Sequence, residues 1–227
     1  MSASSTLNIN EMFETIQGEG SFTGIPSVFV RLQGCPVGCP WCDTKHTWSL
    51  DDALVTTAHE VINKPQEDEQ FFTTDENGLL SLFNDEGYVA KHVVITGGEP
   101  CMYDLRPLTT YLHDNGYTTQ IETSGTYEVL CDPRTYVTVS PKINMKGGME
   151  VLIGALERAN EIKHPIAMQK HIDELDALLK DVSSLEGKQV CLQPISQQKR
   201  ATELAVKTCI ARNWRLSLQT HKYIGIE

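Results

Sequence analysis

The sequence predicts an α/β protein: an incomplete, partly open β/α barrel of about six to seven mostly parallel strands, with an acidic insertion after an early cysteine loop. Three observations carry this. From His92 onward, buried-strand runs alternate with segments of helical spacing, the pattern of right-handed β-α-β units around a parallel sheet. The chain has 227 residues, of which about 40 (positions 50–90) belong to the insertion, whereas a complete eight-fold barrel takes about 250. Most of the unusual polar residues fall at the carboxyl ends of strands, the edge where barrels and open α/β sheets build their sites. A doubly wound open sheet is the alternative.

Taken in order, Glu11 to Gly24 holds three glycines in seven residues (Gly18, Gly20, Gly24), which forbid a stable helix and predict a loop whose backbone can approach a partner closely. Val28–Leu32 is a short strand with Arg31 near its end. The cysteine loop follows it directly. Positions 50–90 carry ten carboxylates against one lysine, Lys64, and read as a solvated cover rather than the seat of chemistry, with helical stretches at 53–63 and 78–83. Strands are then expected at 92–96, 117–122, 136–140, 161–164, 189–193 and 215–219, and helices at 104–115, 149–158, 172–182 and 201–212. The whole chain, 1–227, reads as a single domain.

Net charge is −11, from 19 basic and 30 acidic side chains. Such a chain is repelled by nucleic-acid backbone and by anionic membrane, so neither is expected as a partner. There is no apolar run of the roughly 20 residues that span a bilayer, and Met1 to Asn10 lacks the pattern of a secretory signal. The expected location is the cytoplasm. Seven cysteines, an odd number with three crowded together, argue against a disulfide framework and for metal or redox chemistry. Cys101, Cys131, Cys191 and Cys209 are scattered and read as small buried hydrophobes.

The crowded three are Cys35, Cys39 and Cys42, spaced C-x3-C-x2-C. With His46 the stretch also reads as a closed Cys3His zinc site. The other reading is a [4Fe-4S] cluster, which normally takes four thiolates. Three would leave one iron open to an exogenous ligand. Further polar motifs end later strands: Thr96-Gly97-Gly98-Glu99-Pro100, Glu122-Thr123-Ser124-Gly125, Ser140-Pro141-Lys142 and Gln193-Pro194.

The C-x3-C-x2-C loop after a first strand, with Trp41 immediately before its last cysteine, resembles the radical S-adenosylmethionine superfamily, and Gly97-Gly98-Glu99-Pro100 resembles its GGEP-type motif. Gln17-Gly18-Glu19-Gly20, Arg31, Cys42-Asp43-Thr44, Glu122 to Gly125, Ser140 to Lys142 and His221-Lys222 narrow the likeness to the 7-carboxy-7-deazaguanine synthase family of the queuosine pathway. The match runs from about Asn10 to the C-terminus, apart from the acidic insertion and the stretch around 168–189. The resemblance implies a partial β/α barrel and a lyase that contracts 6-carboxy-5,6,7,8-tetrahydropterin to 7-carboxy-7-deazaguanine with loss of ammonia. It also implies S-adenosylmethionine as a regenerated cofactor, Mg²⁺, a flavodoxin-type electron donor and a homodimer.

Residue by residue, the resemblance assigns the cluster to Cys35, Cys39 and Cys42, and Mg²⁺ to the hydroxyl of Thr44, a hard oxygen suited to that ion. Without the resemblance, the Thr44 hydroxyl would be read as capping the next turn. Trp41, Cys42 and Asp43 flank the cofactor. Gly98 and Glu99 would meet the methionyl portion of S-adenosylmethionine. Ser124, Ser140, Pro141, Lys142 and Gln193 would meet its sugar and adenine side. Ile16, Gln17, Gly18 and Glu19 match the pterin-contacting loop. Arg31 would pair with the substrate carboxylate through two parallel donors. Thr96 and His221 would complete the pocket, and no acid or base is assigned. Two other classes stay open: a radical enzyme activating a protein partner, and a zinc-stabilised binding protein.

Overall fold

A computed structural model describes residues 6–65, 67–195 and 198–226. The element order is β1 (Leu7–Ile16), β2 (Pro26–Leu32), α1 (Ala58–Asn63), β3 (Phe72–Thr74), α2 (Glu76–Asp85), β4 (His92–Gly97), α3 (Arg106–Asp114), β5 (Thr118–Thr123) and β6 (Tyr136–Val139). It continues with α4 (Ile153–Arg158), β7 (Glu161–Ile166), α5 (Gln169–Leu179), β8 (Gln189–Pro194), α6 (Lys199–Arg212), β9 (Arg215–Leu216) and α7 (Thr220–Ile224). These strands form one nine-stranded sheet in the order β3-β1-β2-β4-β5-β6-β7-β8-β9. From β2 to β9 every pairing is parallel. The sheet is open, and its mostly parallel run is the expected incomplete barrel.

Two strands escape the sequence reading. β1 begins well before the glycine loop and pairs antiparallel with β2, Phe13 opposite Phe29, their rings stacked at 5.4 Å. The loop predicted over 11–24 is therefore shorter, starting at Gln17. β3 pairs antiparallel with β1 and comes from the acidic stretch. That stretch is more than a cover, because Leu79 and Phe83 of α2 are fully buried in one core with β1, β2 and β4.

Along each parallel strand the side chains alternate between two faces. Val30, Val93, Ile95 and Ile121 face α2 and α3, and Val137, Val139, Ile162 and Leu192 belong to a second core with α4, α5 and α6. Each fully buried Leu, Ile or Phe contributes about 1.5–3 kcal/mol. The opposite face is polar: Arg31, Thr96, Gln120, Glu122, Thr138 and Lys163 lie on it. Residues far apart in strand order meet across this face. Gly20 N, from the loop after β1, donates to Ser217 Oγ just past β9 at 3.0 Å, and Ser21 N donates to Glu161 Oε2 of β7 at 2.8 Å. The sheet is curled around its polar side. Among the described residues no helix is long and apolar enough to cross a membrane.

Candidate active site

The parallel register sets the carboxyl ends of β2 and β4 side by side, Leu32 opposite Gly97, and the cysteine loop leaves from that edge. Backbone bonds fix the loop's path: Gly34 N to Thr47 O at 2.7 Å, Glu99 N to Gly34 O at 2.8 Å and Gly147 N to Val37 O at 3.0 Å. A Cβ on Gly98 would collide with the Gly34 carbonyl and crowd Cys35. Gly98 is thus required by the packing of the β4 turn against the cysteine loop.

All seven cysteines are free. Cys35, Cys39 and Cys42 line one cavity of about 320 Å³ together with Trp41, Asp43 and Thr44. Burial pushes the Cys35 thiol up to about 11 and raises Cys39 as well, each with the neighbouring cysteines adding to the rise. Such thiols become ligands only beside strong positive charge, which a bound metal supplies. No three His, Cys, Asp or Glu side chains among the described residues converge tightly enough for one metal ion. Zinc would need every donor within about 2.3 Å of one point, whereas a cubane spreads its thiolates over separate irons. His46 does not line this cavity; its Nε2 stands 3.3 Å from Glu11 Oε1. The donor set fits a three-thiolate cluster.

Gly98, Ser124, Ser140, Lys142 and Gln193 line the same cavity. Lys142 Nζ donates to Ser140 Oγ at 2.7 Å, and Ser217 Oγ donates to Gln193 Oε1 at 3.1 Å. Pro141 and Glu99 are not among the residues that line this cavity. Pro141 is buried behind this rim. Glu99 is only 1 % exposed, and its carboxylate accepts from Cys101 N at 2.9 Å, Thr123 Oγ1 at 2.5 Å, Ser124 N at 2.8 Å and Ser124 Oγ. Four protein donors already serve it. It braces the β4 and β5 turns together.

A second cavity, of about 530 Å³, adjoins the first. Ile16, Gln17, Gly18 and Glu19 line it, as do Arg31, Thr96 and His221. Arg31, Thr44, Thr96 and Glu122 border both cavities, so Thr44 stands at their junction. Its hydroxyl caps no helix. Arg31 Nε is bonded to Glu11 Oε2 at 2.5 Å. The Gln17 side chain is 3 % exposed and is spent internally, donating to Gln120 Oε1 and accepting from Glu19 N, while its backbone N donates to Ile25 O and its carbonyl accepts from Gly24 N. The carbonyl of Gly18 accepts from Thr220 N and Oγ1 at 2.9 and 2.8 Å. A Cβ on Gly18 would collide with the His221 ring. The C-terminal segment thereby straps the glycine loop, with His221 held below its usual range by burial.

Sequence reasoning missed Glu122, Lys163 and Gln219 as site members, and missed the apolar wall of Phe13, Phe29, Val61 and Ile62. In the sequence Glu122 shows only as part of a strand-end motif. A signal for Lys163 exists: Glu161 and Lys163 alternate with the apolar Ile162 in a short strand, the period of a strand with one polar face.

Residues 16–128 match the model of a 4Fe-4S single cluster domain. The chain is 56% identical to the 7-carboxy-7-deazaguanine synthase of Escherichia coli (strain K12) over 96% of this chain and 98% of that one. It is 33% identical to the 7-carboxy-7-deazaguanine synthase of Rickettsia prowazekii, over 97% of this chain and 89% of the relative. A crystal structure of QueE from Escherichia coli superposes with a TM-score of 0.92 at 55% identity, covering 94% of this chain and 93% of that one.

Proposed function

Because the chain belongs to the 7-carboxy-7-deazaguanine synthase family, we propose that it is a radical S-adenosylmethionine lyase of queuosine biosynthesis. It converts 6-carboxy-5,6,7,8-tetrahydropterin to 7-carboxy-7-deazaguanine and ammonia. The single observation that carries this is the joining of two cavities at Thr44, one lined by the three cysteines and the other by the glycine loop, Arg31 and His221.

When bound, the reduced cluster and S-adenosylmethionine supply a 5′-deoxyadenosyl radical as a catalytic hydrogen-atom acceptor and donor. The chain's own residues do the placing. Gly98, Ser124, Ser140, Lys142 and Gln193 would hold the cofactor across the carboxyl edge of the sheet. Phe13 and Phe29 offer a flat apolar wall for the ring, and Arg31 a guanidinium for the carboxylate. Thr44 is our proposed Mg²⁺ ligand, supported by its uncapped hydroxyl at the junction; there the ion would orient the substrate. Trp41 is 53% exposed beside Cys42, which leaves the cluster loop open to a flavodoxin-type donor. The homodimer is carried by the family likeness alone.

Anaerobic reconstitution tests the reading. About four irons and four sulfides per chain, with pterin turnover needing no protein substrate, support it. Zinc in the loop, or turnover only of a partner protein, overturns it.

A further inference from the structure

Lys163 projects from the middle of β7 onto the curled polar face and is 5% exposed. Its ammonium donates to Glu19 Oε2 at 2.7 Å, from the loop after β1, and to both oxygens of Glu122 of β5 at 3.0 and 2.9 Å. One cation therefore serves two carboxylates, which are 18% and 15% exposed and border the larger cavity.

The remaining partners fix both carboxylates in place. Gln219 Nε2 donates to Glu19 Oε1 at 2.9 Å, and Gln120 Nε2 donates to Glu122 Oε1 at 3.0 Å. Gln120 is itself locked, accepting from Gln17 Nε2 at 3.1 Å and donating to Thr138 Oγ1 at 3.1 Å. Glu19 and Glu122 thus line the cavity as oriented acceptors. An N–H-rich ring edge, such as the aminopyrimidinone edge of a pterin, gains most from acceptors that are ionised and already aimed. Two carboxylates this close and this buried cannot both stay ionised without a cation between them.

We propose that Lys163 is a positioning residue of this reaction: standing between Glu19 and Glu122, it keeps both as ionised acceptors turned toward the ring edge of the substrate. The proposal rests on the pterin reading above. Lys163 need not touch the ring; it acts through the two carboxylates. The other charged groups acting on Glu122 are Glu19 and Glu161, and Arg31 and His221 line the same cavity. Glu161 adds negative charge, and among the described residues Lys163 is the one cation bonded to either carboxylate. Burial, with Glu19 and Glu161 adding to it, pushes Glu122 up to about 7 against the pull of Lys163. Burial also works to raise Glu19, but Lys163 outweighs it and Glu19 is lowered to about 2. Glu122 is thus the member whose ionisation hangs on the shared cation.

The test uses the reconstituted holoenzyme with S-adenosylmethionine and without reductant. It reads the affinity for 6-carboxy-5,6,7,8-tetrahydropterin against pH, and the infrared band of protonated glutamate with no pterin present. Wild-type affinity should fall as pH drops through neutrality. Lys163→Met should move that limb upward by about one pH unit or more and weaken binding about 10-fold at neutral pH. Lys163→Arg should return the limb toward its wild-type position, and Glu122→Gln should abolish it. A uniform loss of affinity in Lys163→Met, with the limb unmoved, means a structural role only and overturns the proposal. If Lys163→Met does not fold, Glu122→Gln decides, since a limb persisting there is equally fatal. If the wild type binds no pterin, the pterin reading fails. The infrared band still separates the outcomes: a shift to higher pH in Lys163→Met upholds the charge arrangement, and an unshifted band overturns it.

Discussion

Thr44 Oγ1 lies 3.5 Å from Cys42 Sγ, so a hydroxyl facing the substrate cavity and a cluster thiol are held by the same two-residue step of chain. This spacing makes the loop a ruler between the radical source and the substrate. Thr44→Val should keep iron and sulfide content unchanged and lose the Mg²⁺ response, with turnover down about 10-fold or more, as expected when an orienting ion is lost. Metal analysis and an Mg²⁺ titration check it. A normal Mg²⁺ response in Thr44→Val removes Thr44 as the ligand.

The contact of Gly18 with the His221 ring gives a second expectation. Gly18→Ala should push the C-terminal strap off the glycine loop and raise KM for the pterin about 10-fold, one to two lost hydrogen bonds' worth, with cluster content intact. Steady-state kinetics of the variant would show this, and an unchanged KM would mean that the strap does not shape the pocket.

Glu99 braces the β4 and β5 turns. Glu99→Ala strands buried donors at Thr123 and Ser124 and should cost about 3 kcal/mol, a Tm drop of roughly 6–12 °C for a chain of this size. Thermal denaturation measures it. A variant with wild-type Tm but impaired S-adenosylmethionine binding would support the sequence-based assignment.

The two carboxylates on Lys163 give opposite pH signatures. Glu122 is raised to about 7 in the fold, so its contribution to stability is fully present below its unfolded value, about 4.3. That contribution is lost as pH rises through 7. Glu19 is lowered to about 2, so its contribution is present above about 4.3 and is lost as pH falls through 2. Glu122→Gln should therefore become more stable relative to wild type as pH rises from 5 to 8, by an amount of order 3 kcal/mol. Denaturation series at several pH values read the difference directly, and a difference independent of pH would contradict the assignment.

The site was legible wherever its chemistry is local in sequence. Cys35 to Thr44 declares itself by spacing within one loop, and the turns at Thr96, Ser124 and Ser140 by their place after strands. The seven parallel strands follow from buried apolar runs. Charge pairing across the sheet was not legible: Lys163 meets Glu19 and Glu122 from 144 and 41 positions away, and a lysine in a strand reads as solvent-facing until curvature turns that face inward. The bracing bonds of Glu99 were hidden for the same reason, because its partners Thr123 and Ser124 lie 24 and 25 positions on. β1 was obscured by the glycines that follow it, and β3 by the acidic residues around it.

The central claim is a lyase that uses S-adenosylmethionine catalytically on a carboxylated tetrahydropterin. The most direct measurement is anaerobic turnover of the reconstituted protein with 6-carboxy-5,6,7,8-tetrahydropterin, S-adenosylmethionine, reductant and Mg²⁺, counting 7-carboxy-7-deazaguanine formed against S-adenosylmethionine consumed. Product should form in large excess over cofactor consumed. No product, or product matched one for one by 5′-deoxyadenosine, would contradict it.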